Sequence, residues 1–248
     1  MSAEIKIGKH KCCCEENHSH LLLVEGNNDC HVIMHLCRAH ELPESLFCIH
    51  NCQNDDGVLK ELTNRLKARP ELRPQVVGVV LDADKPEANP NLTSRLQQVC
   101  DRLSKISQEY QRPQAPDPSG TILTAVENNK YPRVGIWLMP NNQEIGMLED
   151  FLMELARKKT NTEGCCYYAD SFQYAEQCVD EAINRKFTSF KKTHRSKAII
   201  HTYLAWHEPE PGTSLAMAIT AHTLEPNTPL AYQFTTWLRK LFETTYSG

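Results

Sequence analysis

No apolar run in this 248-residue sequence approaches the roughly 20 residues that a bilayer-spanning helix needs, so a membrane anchor is not expected. The opening stretch, MSAEIKIGKHKCCCEENHSH, is polar and has no apolar h-region. That predicts a chain without a secretory leader, working in the cytoplasm. Basic charge is not in excess either. Against 31 Asp and Glu there are 27 Lys and Arg, a net charge of −4, so nothing global announces a nucleic-acid binder. There is no GxxxxGK[ST] phosphate loop, so any ATPase acting with this protein would be a separate chain.

Cysteine, by contrast, is plentiful: there are eleven. Without an export signal they are expected to be mostly free thiols. HKCCC (10–14), with His18 and His20 nearby, has the residue types of a zinc site. Zinc sites space their cysteines by about two to four residues, however, and three adjacent side chains diverge. A flexible, reduced segment over 1–18 is the expectation. Hydrophobic residues at 40% and charged residues at 23% describe an ordinary globular chain that buries a proper core.

HLLLVEGNNDC (20–30) reads as a buried strand running into acids. Val32, Ile33, Leu36 and Cys37 then recur at helical spacing. LFCIHNC (46–52) is a short strand candidate, followed by a helix carrying Val58, Leu59, Leu62 and Leu66. QVVGVVLDAD (75–84) is the clearest strand, and its near-continuous valines predict burial on both faces, as in a parallel sheet covered by helices. Leu92, Leu96, Val99, Leu103 and Ile106 mark the inner stripe of a helix, and QRPQAPDPSG (111–120) is a proline-rich loop. TILTAV and RVGIWLMP read as extended, with a helix from about Met147. Helices are expected around 171–187 and 195–206, with a closing one bearing Leu230, Phe234, Trp237, Leu238 and Leu241. The alternation predicts an α/β fold, a mostly parallel Rossmann-like sheet flanked by helices, over 19–160. Residues 161–248 form a helical C-terminal extension packed on that core.

Acids follow three of these strands. Glu25 ends the first, Asp82 and Asp84 end the LDAD strand, and Glu149 with Asp150 follows the WLMP strand and its loop. In an open parallel sheet the carboxyl ends of the strands lie along one edge, where ligands bind. Carboxylates gathered there repel one another unless cations neutralise them, and hard oxygen donors suit Mg²⁺ or Mn²⁺. Asp29 is either a further ligand or an acid favoured by a helix N-terminus.

VEGNND and VLDAD, taken together, resemble the glutamate and aspartate-pair motifs of the Toprim domain of topoisomerases, primases and related nucleases. The resemblance covers about residues 19–157. PNNQEIGMLEDFL is similar to a segment of small stand-alone Toprim proteins related to overcoming-lysogenization-defect (OLD) type nucleases. It implies Glu25, Asp82 and Asp84 as the catalytic acidic core, with Asp29, Glu149 and Asp150 as further metal ligands. It also implies Mg²⁺ or Mn²⁺ as cofactor and hydrolysis of phosphodiester bonds in DNA or RNA. No paired zinc motif supports a primase, and the chain lacks the length for a topoisomerase's strand-cleavage domains.

RKFTSFKKTHRSK (185–197) holds six Lys or Arg and no acid. Alone it reads as a solvated face. Within the resemblance, Lys197 takes the place of a lysine that stabilises charge at the scissile phosphate, while Lys191, Lys192 and Arg195 grip backbone phosphates. Small Toprim proteins of this kind often accompany an ABC-type ATPase in antiphage defence, which implies such a partner here and leaves a homo-oligomer open. The competing reading is a Toprim-like scaffold that keeps its acids but serves to dock a partner protein. A phosphatase of the haloacid-dehalogenase type ranks third. Its DxD pair ends the first strand and precedes a threonine, whereas this pair ends the third and precedes LysPro.

Overall fold

The computed structural model describes residues 18–83, 92–107, 109–125, 131–157, 167–207 and 209–243. Five strands form one sheet: β1 (His20–Val24), β2 (Cys48–Asn51), β3 (Val76–Asp82), β4 (Thr121–Leu123) and β5 (Arg133–Met139). Their order is β2-β1-β3-β5-β4. The first four in that order run parallel, and β4 closes the edge antiparallel to β5. The α/β expectation therefore holds, with TILTAV shortened to a three-residue edge strand. From β1 the chain crosses outward to β2 and returns to the other side of β1 to make β3. The strand order reverses between β1 and β3, and open α/β sheets bind ligands at such a reversal.

Helices cover both faces. Against one lie α2 (Asp55–Lys67) and α3 (Leu92–Ser104), packing on Leu21, Leu23, Val77, Val79 and Ile136. Against the other lie α1 (Asn27–Ala39), α4 (Leu148–Arg157), α6 (Arg195–Leu204), α7 (Leu215–Thr220) and α8 (Pro229–Phe242), grouped around Leu22, Val24, Val80 and Trp137. α5 (Tyr167–Asn184) packs against α4 and α6. The valine-rich β3 is buried on both faces, as its sequence demands.

The closing helix is part of this core. Gly78 and Gly135 stand opposite each other in register on β3 and β5. A Cβ at Gly78 would meet Leu241 Cδ2 at 3.0 Å, and one at Gly135 would collide with the same leucine. The two glycines thus open a trough in which the end of α8 seats. Farther along the helix, Phe234 meets Trp137 edge-on at 5.0 Å between ring centroids. Residues on both sides of position 160 therefore share one continuous hydrophobic cluster.

Cys30, Cys37, Cys52, Cys100 and Cys178 carry free thiols, in keeping with the expectation, whereas Cys48 is disulfide-bonded. The HKCCC segment lies outside the described residues. Among the described residues no helix is long and apolar enough to cross a membrane.

Candidate functional site

The carboxyl ends of β1 and β3 sit side by side, and Glu25 and Asp82 meet there. Glu25 Oε1 accepts from the backbone N–H of Asp82 at 2.7 Å. Asp82 Oδ1 in turn accepts from the backbone N–H of Leu148, at the start of α4, at 3.0 Å. A backbone bond from Ala83 N–H to Gly146 O, 2.9 Å, fastens the same loop to the end of β3. Two sequence-distant acids thus tie the ends of β1 and β3 and the start of α4 into one rim.

Gly26 serves space rather than conformational freedom. Its backbone is extended (φ −147°, ψ 178°), which any residue adopts, but a Cβ there would lie 3.3 Å from Asp29 Oδ2. The missing side chain lets α1 begin against the strand and brings the Asp29 carboxyl into the rim. Asn51 at the end of β2 donates to Asn27 Oδ1 at 2.6 Å, fixing the same helix start from the other side.

An open cleft of about 590 Å³ lies at this edge. Glu25, Asp29, Asp82 and Glu149 supply its acids, and His194 and Lys197 its basic side. Lys197 Nζ stands 3.4 Å from Glu149 Oε1, pairing a half-exposed ammonium with a carboxylate that is only 8% exposed. Burial is the main influence on Asp29 and Asp82. It pushes Asp29 up to about 7, helped by the negative charges of Glu25 and Glu149. Asp82 is raised well above the ordinary carboxylate range for the same reason, with Glu25, Asp29 and Glu149 adding to it.

That crowding has a measurable consequence. An acid whose folded-state pKa is raised holds its proton in the native state after the unfolded chain has lost it, so the stability it contributes is full at low pH. For Asp29 the window runs from its ordinary 3.8 to about 7, and stability should fall as pH rises through it. The slope for one such group is at most about 1.4 kcal/mol per pH unit. Thermal melts of the metal-free protein, taken with chelator present across this window, should show the decline, and Asp29→Asn should flatten it. A wild-type profile that is level or rising would contradict the electrostatic picture of the rim.

Not every expected residue faces the cleft. Asp150 has both carboxylate oxygens engaged elsewhere: Oδ2 accepts from Met147 N–H at 2.9 Å and Oδ1 from Ser196 Oγ at 2.5 Å. It fastens the start of α4 to α6. Arg195 forms a two-pronged bond with Asp180, at 2.6 and 2.8 Å, and so ties α6 to α5. Lys191 and Lys192 are exposed on the connection leading into α6. Asp84 lies outside the described residues.

Arg95 carries no signal in the sequence pattern. It sits on the α3 stripe of leucines and valine, only 4% exposed, and its guanidinium donates to the backbone carbonyl of Asp82 at 2.9 Å and to Asp55 Oδ2 at 2.9 Å. A buried arginine between two apolar positions carries no periodicity signal. Its partner Asp55 reads in the sequence as a helix-start acid. Gln53 and Asn54, which also line the cleft, were hidden in an ordinary turn.

Among the described residues, no three of His, Cys, Asp and Glu are arranged as a ready coordination shell. The donor chemistry nonetheless fits a hard divalent cation. Mg²⁺ commonly keeps several waters and takes one or two carboxylates together with substrate phosphates. Asp29 and Asp82, which have no ion-pair partner among the described residues, supply the matching demand. Glu25, Asp29, Asp82 and Glu149 are the described residues that would hold it. The family model described as Protein of unknown function (DUF3226) matches residues 19–243. No curated protein and no solved structure matches the chain.

Proposed function

The chain belongs to the family described as Protein of unknown function (DUF3226), and from the chemistry of its cleft we propose that it is a Toprim-type, divalent-metal-dependent nuclease that hydrolyses phosphodiester bonds of DNA or RNA. One observation carries this reading. Glu25, Asp29, Asp82 and Glu149 face one open cleft at the strand-order reversal, with Lys197 on its basic side. Bound cations would offset the repulsion between these carboxylates and a polyanionic substrate.

The bound cation would neutralise the acids, polarise a phosphoryl oxygen and activate a water. The remaining work belongs to the chain. Glu25 and Asp82 hold the two strand ends and the start of α4 in one rim through their bonds to backbone N–H groups. Arg95 fixes the carbonyl of Asp82 from behind. Lys197 would offer an ammonium where charge gathers on the phosphate oxygens, and the exposed Lys191 and Lys192 would grip the flanking backbone. The reading takes the protein as cytoplasmic, and the Toprim resemblance implies a separate ABC-type ATPase acting with it in defence against phage.

A second reading is favoured by the same hydrogen bonds. Glu25 and Asp82 each spend an oxygen on a backbone N–H, as structural acids in a docking scaffold would. Cleavage of labelled DNA and RNA under chelation separates the two. The nuclease reading expects cleavage with Mg²⁺ or Mn²⁺, complete loss in chelator and recovery on adding the metal back. It also expects a rise in melting temperature as Mg²⁺ is titrated into the metal-free protein. Cleavage that persists in chelator overturns metal dependence. A protein that binds a partner and cuts neither polymer under any condition is the scaffold.

A further inference from the structure

Phe187 is the most exposed large apolar side chain among the described residues, at 74%. Its position makes that exposure unusual. The end of α5 closes in a Schellman arrangement, with Lys186 N–H donating to Ile183 O at 3.0 Å and Phe187 N–H to Ala182 O at 2.9 Å. A hydrophobic residue at the position of Phe187 commonly folds back onto the helix in this motif. Here it does not. The preceding position, which favours glycine because it is left-handed, is held by Lys186 at φ 60°. Lys186 therefore holds its position against local preference, and Phe187 fills a position that suits a hydrophobic residue while leaving its ring exposed.

The surroundings say what kind of molecule would cover the ring. From Lys186 to Lys197 there is no acid, while Lys191, Lys192, Arg195 and Lys197 add positive charge. Lys186, Lys191 and Lys192 have no ion-pair partner among the described residues, whereas Arg195 is held by Asp180. Phe190 packs against the core and anchors the connection, which leaves Phe187 and the lysines outside. The Arg195–Asp180 pair ties the start of α6 to the last turns of α5, so Phe187 hangs at the end of this helix pair that also carries His194 and Lys197 into the cleft. An exposed apolar ring on a stretch whose lysines have no ion-pair partner among the described residues, and which leads along the chain to His194 and Lys197 of the cleft, matches a strand with unpaired bases. Such bases stack on aromatic rings while lysines follow the backbone. A duplex keeps its base faces covered and offers the ring nothing.

We propose that the segment 185–194 is a single-stranded polynucleotide platform. Phe187 stacks on a base, Lys186, Lys191 and Lys192 hold the adjacent phosphates, and the strand is fed past His194 and Lys197 into the cleft. The inference rests on the nuclease reading and narrows its substrate to single-stranded DNA or RNA, or the single-stranded end or flap of a duplex.

The test is binding measured apart from cleavage. Fluorescence anisotropy of the full chain in chelator would follow labelled single-stranded DNA, single-stranded RNA and blunt duplex DNA, each of about 16 nucleotides or base pairs. Phe187→Ala should weaken single-strand binding about tenfold and leave duplex binding nearly unchanged, while Phe187→Tyr should restore it. A double Lys191→Ala, Lys192→Ala variant should flatten the salt dependence for every polymer. Because Phe187 is exposed, an unchanged melting temperature should accompany the loss. Equal binding of single strands by wild type and Phe187→Ala overturns the platform, and so does self-association that disappears with Phe187→Ala while polynucleotide affinity does not change. If metal-dependent cleavage survives either of these results, the nuclease reading stands without the platform. If single-strand binding depends on Phe187 but no metal restores cleavage, the platform stands and the nuclease reading falls.

Discussion

Asp82→Asn should abolish metal-dependent cleavage and, at the same time, make the metal-free protein more stable. The two effects come from the same carboxylate. Asp82 is pushed well above the ordinary carboxylate range, first by burial and then by Glu25, Asp29 and Glu149, so the apo rim carries a cost that a neutral amide removes. Asparagine keeps an oxygen to accept from Leu148 N–H, the bond that holds the start of α4 to β3. Relief of even about 1 kcal/mol moves the melting temperature of a chain of this size by roughly 2–4 °C. Asp82→Ala removes the charge too but strands the Leu148 N–H, so it should gain less than the asparagine variant or lose stability outright. On the proposed nuclease reading, losing a carboxylate that would hold a cation forfeits several kcal/mol of transition-state stabilisation, which is about 10³-fold or more in rate. Differential scanning fluorimetry in chelator and a gel-based cleavage assay with Mn²⁺ read the two halves. A folded Asp82→Asn protein that cuts at the native rate would remove this cleft from the mechanism.

The acids were readable because they stand in high-contrast positions. Glu25 follows four aliphatic residues and Asp82 follows a valine-rich run, so strand pattern and site share one signal. Parallel pairing then carries two residues 57 positions apart to within a hydrogen bond of each other. What local pattern does not carry is the choice of partner. Glu149 and Asp150 are adjacent and chemically alike, yet the helix turns one toward the cleft and the other toward Met147 and Ser196. Arg195 and Lys192 belong to one basic stretch, but Asp180 on the preceding helix claims only the first. Arg95 lies among hydrophobic residues and gains its meaning from a main-chain carbonyl, which has no letter in the sequence. Likewise, the facing of Gly78 and Gly135, which seats α8, exists only once β3 and β5 are in register. Tertiary pairing decides each of these.

Lys197→Ala should lower single-turnover cleavage by about 10²-fold while leaving substrate affinity nearly unchanged. In the free protein its ammonium stands 3.4 Å from Glu149 Oε1 and remains half exposed, so it is held at the cleft without being consumed by it. Phosphodiester hydrolysis adds negative charge to the phosphoryl oxygens as the water attacks, so a fixed cation there is worth more in the transition state than in the bound substrate. Lys192, exposed on the connection before α6, should give the opposite pattern. Lys192→Ala should weaken binding and reduce its salt slope by about one counterion while the rate from the bound state holds. The contrast matters because Lys197 also shields a buried carboxylate, and a purely structural role would appear as lost stability with the cleavage rate per folded molecule unchanged. Melting temperature, equilibrium binding in chelator and single-turnover rate, measured on both variants with DNA and with RNA, separate the three possibilities. If Lys197→Ala cuts at the native rate, its ammonium serves Glu149 alone and the basic stretch acts only in binding.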